Sequence, residues 1–254
     1  MATQAKLDYE CSKEEWQARL DLAACYRIFD LLGWSESIYN HISLAVPGEE
    51  GAFLINPFGL LYEEVTASNL VKIDVEGNNI GGSPYMVNKA GFTQHAHFHK
   101  TLGARANAIC HVHTTETMAV CSHKDGLLPT NFYACNFVGN IGYHDFEGVT
   151  VRAEEGDRLV ENLGDKSILM LRNHGPVVMG KTIQEMFVQM WALQRACEIQ
   201  VATLSQGDAV VVQRDVLDVH QRDLSQMTSQ GGAGLFDFEA WKRKATRIDD
   251  SWQQ

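Results

Sequence analysis

The chain has few prolines, no closely spaced cysteines and no long apolar run. Its six cysteines form no CxxC pair, so the sequence indicates neither a disulfide framework nor a zinc ribbon; they are Cys11, Cys25, Cys110, Cys121, Cys135 and Cys197. No stretch approaches the roughly 20 apolar residues that a membrane-spanning helix needs. The N-terminus lacks the basic start and apolar block of a signal peptide. We therefore expect a reduced, cytoplasmic protein that does not bind membranes.

Positive charge is also scarce. The 254 residues include 21 Lys and Arg against 32 Asp and Glu, which gives a formal net charge of −11. Nucleic-acid-binding proteins usually carry a basic face, and this chain has no basic run. This balance argues against nucleic acid as a partner and favours a small-molecule substrate.

The apolar residues predict one α/β domain. The hydrophobic fraction is 45%, enough for a large core. Helical spacing predicts amphipathic helices over residues 13–33 and 182–206, and further helices over 88–103, 114–123 and 154–164. Short runs rich in Ile, Val and Leu predict the strands, including 40–46, 52–57, 70–78, 106–115, 132–144 and 148–152. We expect one domain over residues 1–254, with a core at about 15–205 and a polar C-terminal tail at 207–254.

Histidines are concentrated in one part of the sequence, with six of the ten between positions 95 and 123. In His111-Val112-His113 the two imidazoles project from the same face of an extended strand, so both can reach one ion. His174 offers a third nitrogen from a turn, beside a glycine that permits close backbone approach. Three neutral nitrogens with an open position suit zinc, and manganese, iron or cobalt fit the same ligands. The alternative is that the HxH pair consists of hydrogen-bonded core histidines.

Two further residues near this pair are candidates for proton transfer. His95 shares a helix face with His99, so both are candidate ligands or supporting residues near the site. Glu116 follows His113 by three residues and can transfer a proton or add an oxygen ligand. Its alternative role is that of a first-turn carboxylate favoured by the helix dipole.

Polar residues at turns supply the candidate substrate contacts. Asn40 and Asn56 lie beside predicted strands, where they can bind substrate oxygens or cap turns. Gly59 belongs to the same turn as Asn56. The trio at positions 143–145, Tyr-His-Asp, fits either a loop at a subunit interface or a catalytic role.

Six ordered segments resemble the class II aldolase/adducin family over roughly residues 15–205. They are YNHISLAVPG, INPFG, NKAGFTQHAHFH, ANAICHVHT, RNHGPVVMG and the long helix that follows. The resemblance implies a three-layer α/β/α sandwich around a mixed, largely antiparallel sheet. It also implies a homotetramer with active sites at subunit interfaces. The family's three histidine ligands fall on His111, His113 and His174.

The chain departs from the sugar-phosphate aldolases of this family at two places. Their catalytic carboxylate falls on Phe92 here. Their phosphate-binding Thr-Gly turn reads Asn-Pro-Phe-Gly at positions 56–59, and their serine pair reads Ala90-Gly91. The AGF pattern resembles the adducin-like branch, which includes a non-enzymatic head domain as well as lyases that act on non-phosphorylated substrates.

The resulting hypothesis is a metal-dependent lyase that cleaves a C–C bond of a small non-phosphorylated substrate. Decarboxylation through a metal-stabilised enolate is favoured, because its first step needs no base and tolerates Phe92. His95 or Glu116 would then supply the proton, and Phe58 and Phe92 would make the pocket apolar. The alternatives are aldol cleavage or dehydration of a hydroxy-carbonyl compound, and a non-catalytic adducin-like binding module.

Overall fold

The computed structural model describes residues 11–149, 153–228 and 232–254. Its helices are α1 (Lys13–Leu31), α2 (Lys89–Leu102), α3 (Thr115–Ser122), α4 (Phe132–Cys135), α5 (Ala153–Leu163), α6 (Ile183–Leu204), α7 (Arg214–Thr228) and α8 (Leu235–Ile248). Its strands are β1 (His41–Ala45), β2 (Ala52–Ile55), β3 (Val71–Asp74), β4 (Ala108–His111), β5 (Ile141–His144), β6 (Ile168–Leu171) and β7 (Pro176–Gly180). Short 3₁₀ turns lie at Tyr62–Glu64, Gly103–Ala106 and Ser251–Gln253.

The seven strands form one mixed sheet in the order β3-β2-β1-β4-β7-β6-β5. Every neighbouring pair is antiparallel except β5 and β6, which are parallel. This confirms the predicted α/β fold with a largely antiparallel sheet.

Successive side chains of a strand point to opposite faces of the sheet, and each face packs against its own apolar layer. On β4, Cys110 faces a core built with α1, α6 and α8, whereas Ile109 faces a smaller cluster with α2 and α5. A sheet buried on both faces needs helices on both sides, which accounts for the three layers. On α2, the His95 and His99 side chains reach Ser43 of β1.

The helix predicted at residues 13–33 corresponds to α1. The Ser12 side chain accepts a hydrogen bond from the Glu15 amide at 3.0 Å and caps the helix. Gly33, with φ of +72°, follows the last turn.

One predicted strand was wrong in its first half. Residues 132–135 form the short helix α4, and only Ile141–His144 form a strand. The Asn131 side chain accepts a hydrogen bond from the Ala134 amide at 3.0 Å, so a local cap outweighs the β propensity of the aromatic residues. Of the strand predicted at 148–152, residues 150–152 lie outside the described residues, and Gly148 and Val149 form a bend.

The C-terminal segment at 207–254 contains helices that pack on the core. Phe238, Ala245 and Trp252 are buried in the cluster that contains α1 and α6. The Ala67 amide donates to the Trp252 carbonyl at 2.9 Å. The segment is polar in composition, but its apolar residues recur at helical spacing and complete the core.

Among the described helices, none combines the length and the apolar composition required to cross a bilayer.

Candidate metal centre

Two neighbouring strands bring His111, His113 and His174 together. His111 ends β4, His113 follows two residues later, and His174 lies in the turn between β6 and β7. Because β4 pairs with β7, with Val177 opposite His111, this turn reaches the end of β4. The His111 Nε2 atom lies 2.8 Å from His113 Nε2 and 3.3 Å from His174 Nε2.

Gly175 permits this approach. A Cβ atom at position 175 would lie 2.5 Å from the Val112 carbonyl oxygen and 3.1 Å from His113 Cδ2. Such contacts are too short for any side chain, so glycine is needed for the turn to close on the histidines.

The hydrogen bonds of two of these rings determine where their protons are. His111 Nδ1 lies 2.9 Å from the Pro176 carbonyl oxygen, and His113 Nδ1 lies 2.6 Å from Glu36 Oε2. A carbonyl or carboxylate oxygen only accepts, so each Nδ1 donates and each neutral ring has a lone pair on Nε2. These two lone pairs point at each other across 2.8 Å and repel unless a cation lies between them.

The spacing of the three nitrogens fits a divalent ion. Ligand bonds of about 2.0–2.1 Å place two imidazole nitrogens about 2.9 Å apart at a right angle and about 3.3 Å apart at the tetrahedral angle. Among the described residues, these three histidines converge within the reach of one ion.

Burial favours the neutral, metal-binding form of His111 and His174. Burial lowers the pKa of His111 well below its usual value, and repulsion from His113 and His174 lowers this pKa further. Burial and then His113 lower the pKa of His174 to about 4. Protons therefore compete little with an ion for these two rings at neutral pH.

Glu36 is a site residue that the sequence did not reveal. It lies in the turn between α1 and β1, and its carboxylate orients the His113 ring through Nδ1. Carboxylates commonly support metal-binding histidines in this way. Glu36 is 77 residues from His113, so no local pattern links the two.

A cavity of about 440 Å³ opens beside His113. Among the described residues, its wall includes the carboxylates of Glu36, Glu116 and Glu198 and no Lys or Arg. The remaining lining residues are Leu32, Gly33, Trp34, Ser35, His113, Thr114, Thr115 and Gln194. This lining suits hydroxyl-bearing or cationic groups and disfavours a phosphate.

Glu116 lies in this cavity, in the first turn of α3. Its Oε2 accepts a hydrogen bond from Gln194 Nε2 at 3.1 Å. The position fits both roles considered for Glu116, the first-turn carboxylate and the proton-transfer group.

His95 lies behind the metal centre and is fully buried. Its Nε2 is 2.9 Å from His41 Nδ1, and its Nδ1 is 2.6 Å from Ser43 Oγ. With both nitrogens bonded within the protein, His95 does not fit the expected role of a proton donor that meets substrate. It fits the supporting role instead, and so does His99, whose Nε2 is 2.8 Å from Ser43 Oγ.

The three predicted substrate contacts differ in their surroundings. Asn40 is only 4% exposed, has φ of +66° and precedes His41; within the described parts of the chain, neither of its side-chain polar atoms has a hydrogen-bond partner. Asn56 Oδ1 accepts from the Tyr26 hydroxyl at 2.9 Å, which is a structural contact. Gly59 lies in an exposed turn with φ of +99°. Asn40 therefore remains the best-placed substrate contact of the three.

The two phenylalanines expected in the pocket do not line the cavity. Phe92 stacks near Phe53, with ring centroids 6.2 Å apart, and a Cβ at Gly77 would lie 2.6 Å from its ring. The apolar pocket expected from Phe58 and Phe92 was therefore wrong for this cavity, because Phe92 fills a cluster between α2 and the sheet.

A second group, His144, Glu147 and Glu155, also lies close enough to hold an ion. However, Asn162 Nδ2 lies 3.1 Å from His144 Nδ1 and donates to it, so the neutral ring has its proton on Nε2. That nitrogen lies 3.6 Å from an oxygen of each carboxylate. A protonated nitrogen is no ligand, so this arrangement of His144 does not fit a metal site.

Comparison with known proteins gives consistent matches. Residues 20–201 match the family model described as Class II Aldolase and Adducin N-terminal domain. A protein of Caulobacter vibrioides, named as a candidate class 2 aldolase, is 43% identical over 241 residues, which cover 94% of this chain and 91% of that protein. Alpha-adducin of Mus musculus is 47% identical over 198 residues, which cover 76% of this chain and 26% of adducin.

One solved structure is similar over nearly the whole length. The crystal structure of an aldolase II superfamily protein from Pseudomonas syringae superposes with a TM-score of 0.91 at 37% identity, covering 96% of this chain and 98% of that chain.

Proposed function

Because this chain belongs to the class II aldolase and adducin family, we propose that it is a metal-dependent lyase that cleaves a C–C bond in a small, non-phosphorylated substrate. The observation that carries this proposal is the convergence of His111, His113 and His174 with their Nε2 atoms 2.8 and 3.3 Å apart. A divalent ion bound there, with zinc the expected one, would act as a Lewis acid on a substrate oxygen.

The cavity beside His113 supports the substrate class. A phosphate needs Lys, Arg or a cluster of backbone amides, whereas the described part of the cavity wall carries three carboxylates and no basic side chain. Its Ser, Thr and Gln groups suit hydroxyls.

Aldol cleavage of a hydroxy-carbonyl compound suits this cavity best. The reaction requires a base that removes a hydroxyl proton, and Glu116 lines the cavity with a carboxylate held by Gln194. An uncharged hydroxy-carbonyl compound also avoids repulsion from the acidic wall.

Decarboxylation is the second candidate. It is favoured by Phe92, since decarboxylation needs no base in its first step and the aldolase carboxylate position is apolar here. The acidic wall, however, would repel an anionic substrate.

The similarity to alpha-adducin supports a third possibility, a binding module without chemistry. The lone pairs of His111 and His113 that face each other are costly without an ion, and a module that only binds a partner has no need of them.

The first test is metal content of the purified protein, compared with His174→Ala and with His220→Ala as the matched control. His220 lies on α7, where its Nε2 contacts Asn136. We expect one ion per chain in the wild type and the control, and none in His174→Ala. No ion in any of them would contradict the lyase and favour the binding module.

The second test separates the two reactions. The loaded enzyme is incubated with small hydroxyketones and with keto acids, and aldehyde and carbon dioxide release are measured in parallel. Aldehyde release that is lost in Glu116→Gln supports aldol cleavage, and carbon dioxide release that persists in Glu116→Gln supports decarboxylation.

The assembly is a separate expectation. We propose a homotetramer in the cytoplasm, and light scattering after size exclusion tests the tetramer.

A further inference from the structure

An ion in the metal centre would be reached from solvent on one side. His111 is buried, whereas His113 and His174 are both partly exposed. An ion held by three histidine nitrogens keeps at least one position open for an outside ligand. That position therefore faces solvent beside His113 and His174, and a ligand bound there meets the residues around these two rings.

The surroundings of these two rings differ. The acidic cavity lies beside His113, and its described lining contains neither His174 nor Phe146. Beside His174 lies the ring of Phe146, with the two ring centroids 6.3 Å apart and the ring planes at 72°. This edge-to-face arrangement is a direct packing contact between the rings. The centre thus has polar, acidic surroundings on the His113 side and an aromatic ring on the His174 side.

Phe146 is exposed although the chain on both sides of it is held in place. The residue is 56% exposed. Before it, His144 is buried, and Asn162 Nδ2 donates to His144 Nδ1 at 3.1 Å. After it, Glu147 pairs with Arg158, whose Nε donates to Glu147 Oε1 at 2.8 Å. The loop is therefore anchored with the Phe146 ring at the surface, next to the metal centre.

A phenylalanine in this position offers apolar surface to a ligand on the ion. An aryl or alkyl group that covers the ring removes apolar area of both partners from water, which is favourable. An aryl group also gains from stacking or edge-to-face packing. A carboxylate at the same place would instead meet the negative face of the ring.

We propose that Phe146 is a specificity-determining residue that binds an apolar substituent of the substrate on the His174 side of the metal centre. This inference rests on the proposed function, since it describes the substrate of the same site. The substrate class becomes a hydroxy-carbonyl compound with a hydroxyl-bearing end in the cavity and an aryl or alkyl group at its other end.

Two hydroxamates test this inference without any turnover. A hydroxamate binds zinc through two neighbouring oxygens, as a hydroxy-carbonyl compound would. Acetohydroxamate and 3-phenylpropionohydroxamate share this group and differ by a benzyl substituent. We expect the second compound to bind the zinc-loaded protein more tightly in titration calorimetry. Its preference over acetohydroxamate should fall roughly two- to tenfold in Phe146→Ala, and Phe146→Leu, which keeps part of the apolar area, should lie between that variant and the wild type.

Phe236→Ala is the matched control. Phe236 is also an exposed phenylalanine, at 85%, but it lies on α8. Its removal should leave the preference for the phenyl compound unchanged. An unchanged preference in Phe146→Ala would overturn the inference, and so would an equal loss of preference in Phe236→Ala.

The metal content of the same samples separates this inference from the proposed function. Wild-type protein that holds zinc but binds both hydroxamates equally, or binds neither, would overturn the inference and leave the lyase standing. Protein that takes up no zinc would contradict both. Light scattering of the variants covers one more outcome: a smaller assembly in Phe146→Ala would assign the ring to a contact between subunits and overturn its role in binding substrate.

Discussion

Removing the Glu36 carboxylate should weaken metal binding although Glu36 is not itself a ligand. Its Oε2 accepts from His113 Nδ1 at 2.6 Å, which orients the ring and raises the basicity of its other nitrogen. A hydrogen bond to a charged group contributes about 1.5–3 kcal/mol. The Glu36 side chain is 49% exposed, so solvent screening favours the lower end of this range. About 1.4 kcal/mol corresponds to tenfold, and we expect Glu36→Ala to raise the zinc Kd about tenfold.

The assay is zinc competition with a chromophoric chelator at pH 7.5. Glu36→Gln keeps an acceptor oxygen without the charge and should lie between the wild type and Glu36→Ala. Glu198→Ala removes a carboxylate from the same cavity, but Glu198 contacts Gln194 and Arg195 instead of the three histidines. This variant therefore measures how much the negative charge of the cavity alone affects zinc binding. An unchanged Kd in Glu36→Ala, or an equal loss in Glu198→Ala, would refute the orienting role.

Three further predictions concern other parts of the molecule. Gly175→Ala places a Cβ 2.5 Å from the Val112 carbonyl oxygen, so the affinity for zinc should fall at least about tenfold. Gly48→Ala is the control, because a Cβ at position 48 meets no atom within 4 Å, and zinc affinity should stay unchanged. Competition with a chelator measures the affinity of both variants. Burial lowers the pKa of His99 to about 3, so below about pH 6.5 the unfolded chain binds a proton that the folded chain does not, and stability falls as pH falls. His99 alone should cost about 1 kcal/mol between pH 6.5 and 5.5, and urea unfolding with a chelator present should show a smaller loss in His99→Gln. Trp252→Ala should lower the free energy of unfolding by about 3–5 kcal/mol because the ring is buried, and an effect no larger than that of Phe236→Ala, at an 85% exposed position, would contradict this.

The convergence of the three histidines could be predicted from the sequence because two of them form a local pattern. His111 and His113 are two residues apart on a strand, and His174 is next to a glycine in a turn. The family resemblance grouped His174 with this pair. In the structure, the pairing of β4 with β7 brings the three side chains together. The sheet was likewise predictable from short Ile- and Val-rich runs.

The contacts of the residues behind the three histidines could not be predicted, because they depend on how α2 is placed over the sheet. His95 and His99 were placed on one helix face by their spacing. Their contact with Ser43 and His41, however, requires the exact position of α2 over β1. Phe92 was assigned to the pocket by its position in the sequence, but a small rotation of a helix decides whether such a side chain faces a cavity or a core. The C-terminal helices were missed because their polar composition hid the few buried apolar residues.

The ligand arrangement also determines when in folding an ion can bind. His111 and His174 are 63 residues apart, and His113 and Glu36 are 77 residues apart. The nitrogens converge only after β1, β4 and β7 have paired in register, which are slow, non-local contacts. An ion bound there would therefore stabilise a completed sheet by mass action. Folding should precede any metal binding, so we expect protein prepared without metal to be folded and to take up zinc when it is added.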